Sequence, residues 1–418
     1  MAPRLRTQAA TDDTVVATPE LKEMSSKARF LDRFEHFTWA WFTLPMATGG
    51  MSLLLAEQTQ PHTFHGLQTI GKIVYIWDLF LFTVVTLCIT YRFVRFPGTL
   101  VASLTHPTES LFAATPLLSL ASIIAAIARY GIPACGPWLL VAYRVLFWVY
   151  FLISFAAAVF LYFLLFTSPA LKLSDMTPAW DLPIFPFMLC GTIASAGAGA
   201  AAAFAGRADD RLGMLMSVLM YANYIHRMIQ YGFPSPPSRA GMFIAVGPPS
   251  FTALALIGMA NDFPTTYYIS ATVETGLTPD QLAVTGTVLK TVATFSGVFI
   301  YALSLWFFCI SVLACLAARR EMAFRLNWWA FVFPNVGFTI ATISIGKMFR
   351  SSAVGWVGSA MTLVLIVVYL AVGWCHARAA WRGEILSAGK DEDTYWQERD
   401  HKLEKLVEKE VEAEQGNV

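Results

Sequence analysis

The chain has 418 residues, of which 56% are hydrophobic and 14% are charged, with a formal net charge of +1. Soluble domains carry about 25% charged residues, so this composition indicates an integral membrane protein. The near-neutral charge argues against nucleic acid as a partner. The six cysteines form no CxxC pair and the seven histidines form no HExxH motif, so we predict no disulfide framework, metal site or cofactor.

Ten apolar stretches are each long enough to cross a bilayer, which takes about 20 helical residues. We therefore predict an all-α membrane protein with a disordered cytosolic segment at 1–30, a ten-helix transmembrane domain at 31–383 and a charged cytosolic tail at 384–418. The first 16 residues lack the apolar core of a signal peptide. The predicted spans are His36–Leu55, Gly71–Val94, Ser110–Tyr130, Pro137–Phe166, Asp181–Phe204, Leu212–Tyr231, Met242–Asn261, Leu282–Ala317, Trp328–Met348 and Val354–Trp381.

The positively charged residues near the span ends predict the orientation. With the amino terminus inside, fourteen Lys and Arg residues lie on the cytoplasmic side and six on the outer side. Cytoplasmic segments of membrane proteins carry such an excess of Lys and Arg. We expect a multi-pass protein with both termini in the cytoplasm.

Prolines alternate along the ten spans, because the odd-numbered spans contain them in their interiors and the even-numbered spans do not. A proline inside a helix removes a backbone hydrogen bond and bends the helix. Interrupted helices at corresponding positions of a repeat line the substrate path in many transporters. We therefore predict five helical hairpins, with five bent inner helices around a central pore and five straight outer helices. The predicted bends are at Pro45, Pro116, Pro186, Pro249 and Pro334.

Stripes of polar or small residues recur at helical spacing in the first and ninth spans. In the ninth span the stripe follows Phe331, Phe333 and Pro334, an arrangement that favours a gated pore wall. A buried bundle helix whose small residues serve only close packing is an equal alternative on this segment alone. In the seventh span, Gly-Pro-Pro frees backbone groups beside two hydroxyl residues. The predicted pore-lining residues are Thr38, Phe42, Ser52, Ser250, Thr252, Asn335, Thr339 and Thr342.

Six segments form a recognisable combination: HFTWAWFTLPMATGG (36–50), GLQTIGKIVY (66–75), PAWDLPIFPFMLCG (178–191), GMFIAVGPPSF (241–251), WWAFVFPNVGF (328–338) and GKDED (389–393). The combination resembles the fungal malic acid permeases. These are C4-dicarboxylate transporters in a wider family with the bacterial tellurite-resistance proteins, the plant slow anion channels and the fungal sulfite efflux pumps. The resemblance implies ten helices in a five-hairpin pore, a homotrimer as in the bacterial and plant branches, and a pore-occluding phenylalanine at Phe333.

Three basic residues are candidates for attracting anions: Arg144 inside the fourth span, Arg239 before the seventh, and Lys347 at the outer end of the ninth. Each has a structural alternative. Arg144 could pair with Asp78 of the second span or reach the interface, Arg239 could reflect the ordinary cytoplasmic bias, and Lys347 could reach the interface. Asp78 would repel a dicarboxylate, which favours a structural or proton-binding role.

The sixth span, Leu212–Tyr231, is shorter than the resemblance implies by about three helical turns. The expected apolar portion would lie between Met220 and Tyr221. We therefore expect either a truly shortened outer helix or a sequence from an imperfect gene model.

The function expected is passage of malate and related C4-dicarboxylates, such as succinate and fumarate, across the plasma membrane. We expect channel-like export with proton-linked uptake, in contact with membrane lipid. The alternative is efflux of sulfite or another small anion. A membrane-embedded enzyme would need paired carboxylates, histidine ligands or a nucleophile–base pair at membrane depth, and no catalytic residue is predicted.

Overall fold

The computed structural model describes residues 31, 33–106, 108–167, 173–195, 200–261 and 278–386. Within these ranges all regular elements are helical. Seven helices are long and apolar enough to cross a membrane. The described part is therefore the all-α body of a multi-pass membrane protein. The predicted disordered segment at 1–30 and most of the charged tail lie outside the described residues.

Ten helices overlap the ten predicted spans. Two short helices, Thr99–Thr105 and Glu109–Phe112, precede the third. The helices are α1 (Thr43–Leu54), α2 (Leu67–Arg95), α3 (Thr115–Ala126), α4 (Pro137–Thr167), α5 (Phe185–Ser195), α6 (Ala200–Tyr231), α7 (Gly247–Asn261), α8 (Pro279–Ala318), α9 (Phe333–Met348) and α10 (Ser352–Arg382).

The five predicted bend prolines lie in the first turns of the odd-numbered helices. Pro116, Pro186 and Pro334 are second residues of their helices, and Pro45 and Pro249 are third residues. The N–H groups of a first turn have no intrahelical acceptor, so proline costs little there. The prolines therefore begin helices and do not bend helix interiors, which corrects the prediction. Short 3₁₀ segments precede most of them: Trp39–Phe42, Pro178–Asp181, Pro236–Val246 and Leu326–Phe331.

The sixth helix is longer than the sequence pattern predicts. It begins at Ala200 and has 32 residues, a length of about 48 Å. The alanine-rich run at 200–204 belongs to α6, because α5 ends at Ser195. The expected short helix is therefore wrong at its amino-terminal boundary. Met220 and Tyr221 are adjacent within a continuous helix.

The helices form two layers. Each odd helix contacts the next odd helix, and α9 contacts α1, so α1, α3, α5, α7 and α9 close a ring. Each even helix packs against the odd helix before it. In the most apolar stretch of the segments containing α7 and α9, 83% of the residues are buried. In the corresponding stretches of α8 and α10, 22% of the residues are buried. The outer layer thus presents its apolar surface outward, as a lipid-facing layer does.

A buried ion pair fastens the outer layer to the ring near the amino ends of the odd helices. Arg92 of α2 pairs with Glu109 and also donates to the carbonyl oxygen of Phe37 at 2.9 Å. Nδ1 of His106 accepts the backbone N–H of Glu109 at 3.0 Å. Buried charges need such partners, so this cluster fixes the entry to α3.

Candidate functional site: an aromatic plug between two cavities

Phe333 lies inside the ring, where it is the first residue of α9 and 2% exposed. It is the one residue that lines both of two small cavities within the ring. The amino-end cavity is lined by Thr43, Met46, Phe112, Thr115, Leu118, Leu182, Phe185, Ile244, Asn327, Ala330, Phe333 and Pro334. The carboxyl-end cavity is lined by Gly50, Leu53, Ala121, Ser122, Ala125, Leu189, Thr192, Ile193, Phe251, Phe333 and Val336.

Phe333 belongs to a cluster of three buried rings, which we call the aromatic plug. Its ring stacks on Phe251 of α7 with centroids 5.2 Å apart, and meets Phe185 of α5 edge-on at 6.1 Å. Phe185 and Phe251 also meet edge-on at 5.7 Å. Such offset and edge-on geometries are the favourable ones for aromatic pairs. The sequence pattern had singled out only Phe333 of these three.

Each ring of the plug fills the space beside a glycine on the next odd helix. A Cβ at that glycine would stand closer to the ring than ordinary van der Waals contact allows. The same packing of a phenylalanine against a glycine of the next odd helix therefore recurs on three consecutive odd helices, α5, α7 and α9. The pairs, with the distance from the added Cβ to the nearest ring atom, are Phe333–Gly50 (3.0 Å), Phe251–Gly337 (2.6 Å) and Phe185–Gly247 (2.7 Å).

Four of the odd α-helices begin at the amino-end cavity. Thr43, Thr115, Phe185 and Phe333 are the first residues of α1, α3, α5 and α9, and all four line it. The aligned peptide dipoles of these helices create positive potential at their amino ends, which attracts anions, although N–H groups such as those of Leu117 and Phe185 already donate to preceding carbonyl oxygens. No residue lining either cavity carries a charged side chain. The backbone is therefore the main source of positive potential at this site.

Among the polar side chains of the amino-end cavity, Asn327 retains unused hydrogen-bonding capacity. Its Nδ2 carries two N–H donors and has one acceptor, the carbonyl oxygen of Pro237 at 3.5 Å, so the second N–H is available. The hydroxyls of Thr43 and Thr115 already donate to backbone carbonyls, at 2.6 Å for Thr43. A carboxylate in this cavity would therefore find the Asn327 amide as the available side-chain donor.

The polar stripe predicted on the ninth span does not line either cavity. Asn335, Thr339 and Thr342 donate to carbonyl oxygens one turn earlier, at 3.0, 2.7 and 2.8 Å. The Thr342 hydroxyl also lies 2.7 Å from the hydroxyl of Tyr301 on α8. Hydroxyl groups on a helix are readily satisfied by their own backbone. The stripe therefore includes a contact with the outer layer.

The residues predicted on the first and seventh spans also lie outside the two cavities. Phe42 packs against an aromatic ring of α2 at 5.7 Å. Ser52 donates to a carbonyl oxygen of α1 at 2.7 Å, and Ser250 bonds to a serine of α8. Thr38 and Thr252 are buried with hydroxyls that have no partner.

Phe331, the rival gate residue, packs away from the plug. Its ring lies 5.2 Å from that of Phe243 and 5.7 Å from that of Trp328. It lines neither cavity. Because α9 begins two residues later, at Phe333, only the later phenylalanine projects between the cavities.

The three candidate anion-attracting residues are also placed outside the cavities. Arg144 is exposed on α4, whereas Asp78 is buried on α2. Arg239 donates to a carbonyl oxygen of α8 at 2.9 Å, which fastens the loop before α7. Nζ of Lys347 donates to two carbonyl oxygens of the α1–α2 loop at 2.7 and 2.8 Å. These contacts favour the structural alternatives for Arg239 and Lys347.

A sequence model of the family described as voltage-dependent anion channel matches residues 36–377. The chain belongs to this family. The voltage-dependent anion channel match spans all ten helices of the ring and the outer layer except the last residues of α10. It thereby includes the aromatic plug and both cavities.

Individual proteins that are similar to the chain carry transport names. The chain is 36% identical over 374 residues to the malic acid transport protein of Schizosaccharomyces pombe, covering 87% of this chain and 83% of that protein. It is 25% identical over 376 residues to the sulfite efflux pump SSU1 of Arthroderma otae, covering 84% of this chain and 94% of that protein.

Proposed function

We propose that the protein passes malate and related C4-dicarboxylates, such as succinate and fumarate, across the plasma membrane, and that Phe333 closes the path. The observation that carries the proposal is the position of Phe333, shared by two cavities inside a closed ring of helices. A bulky apolar side chain at such a constriction stops ions by excluding water. The name and 36% identity of the fission yeast relative support malate as the substrate.

In the proposed arrangement, ten helices cross the membrane as five hairpins, with the odd helices around the path. Contacts between successive odd helices and within each odd–even pair support it. Both termini lie in the cytoplasm, which the excess of Lys and Arg on that side supports. The amino-end cavity then faces the cytoplasm and the carboxyl-end cavity faces outward.

The outer helices contact lipid or a second copy of the chain. Their exposed apolar side chains support this arrangement. Trp138, Phe155 and Phe163 of α4 are examples. A homotrimer, implied by the family resemblance, would cover part of this surface. Large apolar surfaces on a membrane protein need lipid or protein neighbours.

Recognition of the anion depends on helix dipoles and on a side-chain amide donor. The amino ends of α1, α3, α5 and α9 supply positive potential, and the Asn327 amide supplies hydrogen bonds. A doubly charged C4 acid has two carboxylates that accept such bonds. Because charged side chains are absent from both linings, the anion is held weakly enough to leave.

Passage is conductive and sensitive to voltage. The lining side chains include no carboxylate, histidine or lysine that could relay protons with the substrate. Moving one charge through the membrane potential changes its free energy by about 2.3 kcal/mol per 100 mV. The free energy of a malate dianion therefore falls by roughly 4.6 kcal/mol when it leaves an interior that is negative by about 100 mV. Export is therefore favoured, and uptake at acidic outside pH is carried by protonated malate.

Sulfite is the second candidate substrate. The similarity to a sulfite efflux pump extends over 94% of that protein, and both cavities are small and lined by few polar groups. The lower identity of 25%, against 36% for the malic acid transport protein, makes sulfite the alternative.

The deciding experiment is uptake of radiolabelled malate by vesicles that contain the purified protein, with the pH gradient and the voltage set separately. We expect malate uptake that follows the imposed voltage and is competed by succinate and fumarate. Sulfite in excess should compete less well. Uptake of sulfite without uptake of malate would transfer the function to the alternative substrate.

A further inference from the structure

Asp78 of α2 is a buried carboxyl group that the proposed path does not use. Its side chain is fully buried, and neither carboxyl oxygen has a hydrogen-bond partner. An ionised carboxylate that lacks partners is far more costly to bury than the neutral acid. Burial without partners therefore favours the neutral form of Asp78.

The carboxyl group of Asp78 reaches the wall of the carboxyl-end cavity through the space that Gly49 leaves empty. A Cβ at Gly49 would stand 2.7 Å from Oδ2 of Asp78 and closer still to Oγ of Ser122. Ser122 lines the carboxyl-end cavity. The carboxyl and the hydroxyl thus both lie beside Gly49, and the hydroxyl belongs to a residue of the cavity lining.

The groups around Asp78 offer no positive charge that would hold it ionised. Tyr75 of α2 and Tyr369 of α10 interact with it electrostatically, and both are neutral phenols. Tyr130, in the π-helical turn Ile127–Gly131 that follows α3, stacks on Tyr75 at 5.7 Å, and its hydroxyl donates to a carbonyl oxygen of α1. The residue that α1 places against Asp78 is a glycine without a titratable group.

We propose that Asp78 is a proton-binding site of the carboxyl-end cavity and that its charge controls anion passage. When the cavity fills with water, the proton leaves past Ser122. The Ser122 hydroxyl, which donates to the carbonyl oxygen of Ser119 at 2.8 Å in this structure, then turns to donate to the carboxylate. The negative charge beside the cavity repels the anion, whereas the neutral acid does not. Acid on this side therefore promotes passage. This inference rests on the proposed function, because anion flux is its main readout.

The test measures malate flux into vesicles for the wild-type protein and for Asp78→Asn, with the pH varied from about 5 to about 9 on one side at a time. The fraction of malate dianion is the same for both proteins at each pH, so the ratio of the two fluxes isolates the protein's own titration. We expect the flux of Asp78→Asn divided by that of the wild type to rise severalfold as the pH rises on the side of the carboxyl-end cavity. A ratio that is constant, or that changes only with the pH of the other side, would overturn the proposal.

Two further variants separate a proton site from a structural role. Ser122→Ala removes the hydroxyl that stabilises the ionised form, so the midpoint of the pH profile should move to higher pH. An unchanged midpoint would refute the proposal even where Asp78→Asn fails to fold. Asp181→Asn is the matched control, because that buried carboxyl already accepts a hydrogen bond from Ser217 at 2.8 Å. Malate flux through Asp181→Asn should keep the pH profile of the wild type. Loss of that profile would contradict the assignment of the proton-binding site to Asp78.

Infrared spectroscopy distinguishes failure of this inference from failure of the proposed function. The wild-type protein should show a protonated-carboxyl C=O band that disappears at high pH and is missing in Asp78→Asn. If malate flux is absent at every pH but this band titrates, the proposed function fails and the proton site stands. If flux is present and no such band exists, the proton site fails alone.

Discussion

The two cavities on either side of Phe333 belong to one ring of helices but differ in their linings. The amino-end cavity holds the first residues of four α-helices and the Asn327 amide. The carboxyl-end cavity has small residues, including Gly50 and Ala125, and the hydroxyls of Ser122 and Thr192. Because the odd helices start on the same side, their positive dipole ends converge there and not at the other end. The two ends of the ring therefore differ in polarity and in electrostatic potential.

Removing the barrier between the cavities has the largest expected effect. In Phe333→Ala the shared side chain is lost, so the cavities should join and fill with water. Malate flux should then rise at least about tenfold, equivalent to a barrier lower by about 1.4 kcal/mol. Vesicle flux assays at equal protein content would measure it.

The matched control for this change is Phe331→Ala, since Phe331 packs against Phe243 and lines neither cavity. Its flux should stay near that of the wild type. An equal rise in both variants, or a rise in Phe331→Ala alone, would mean that the gate lies outside the plug.

The proposed anion site at the amino end is tested by Asn327→Leu. A hydrogen bond to a charged group contributes about 1.5–3 kcal/mol, so the half-saturating malate concentration should rise by about tenfold or more. Thr192→Val makes the corresponding change in the carboxyl-end cavity, where we expect a smaller shift. Equal shifts at the two ends would remove the asymmetry between the cavities. Saturation curves of malate flux supply both values.

Loss of the charge at Lys347 has the smallest expected effect. Its amino group donates to two loop carbonyl oxygens and does not line the carboxyl-end cavity. Exposed charges contribute about 0–1 kcal/mol, so Lys347→Gln should change malate flux by less than about fivefold. A much larger fall at low ionic strength, abolished by salt, would show that Lys347 attracts the anion directly.

The sequence predicted the helices better than it predicted the cavity linings. Hydropathy and length predicted the all-helical fold, and a described helix overlaps each predicted span. The prolines mark the odd-numbered helices, which contact one another in sequence, and the arrangement of five hairpins stays a prediction. The prolines were predicted inside helices because hydropathy does not distinguish a 3₁₀ segment from the α-helix that follows it. The apolar 3₁₀ residues before four of the odd helices were therefore counted as part of those helices. The start of α6 was missed because the run at 200–204 is as apolar as a span interior.

Side-chain direction around the path could not be read from polarity. The stripe through Thr339 and Thr342 has the right spacing for a pore wall, yet its hydroxyls bond to their own helix, and Thr342 also contacts α8. The residues that separate the two cavities are marked by the pairing of Phe185, Phe251 and Phe333 with glycines. Each phenylalanine and its glycine lie on different helices, so the pairing is not visible in the sequence. Only the packing of the ring brings each phenylalanine to its glycine.

The most direct test of the account is the electrical current carried by malate through bilayers that contain the Phe333→Ala protein. With equal malate and equal pH on both sides, the current should reverse at zero voltage and persist without any pH gradient. A malate gradient should move the reversal voltage in the direction set by an anion, because the substrate crosses as a charged species. Malate transport that is electrically silent and strictly dependent on a pH gradient would contradict a conductive path between the two cavities.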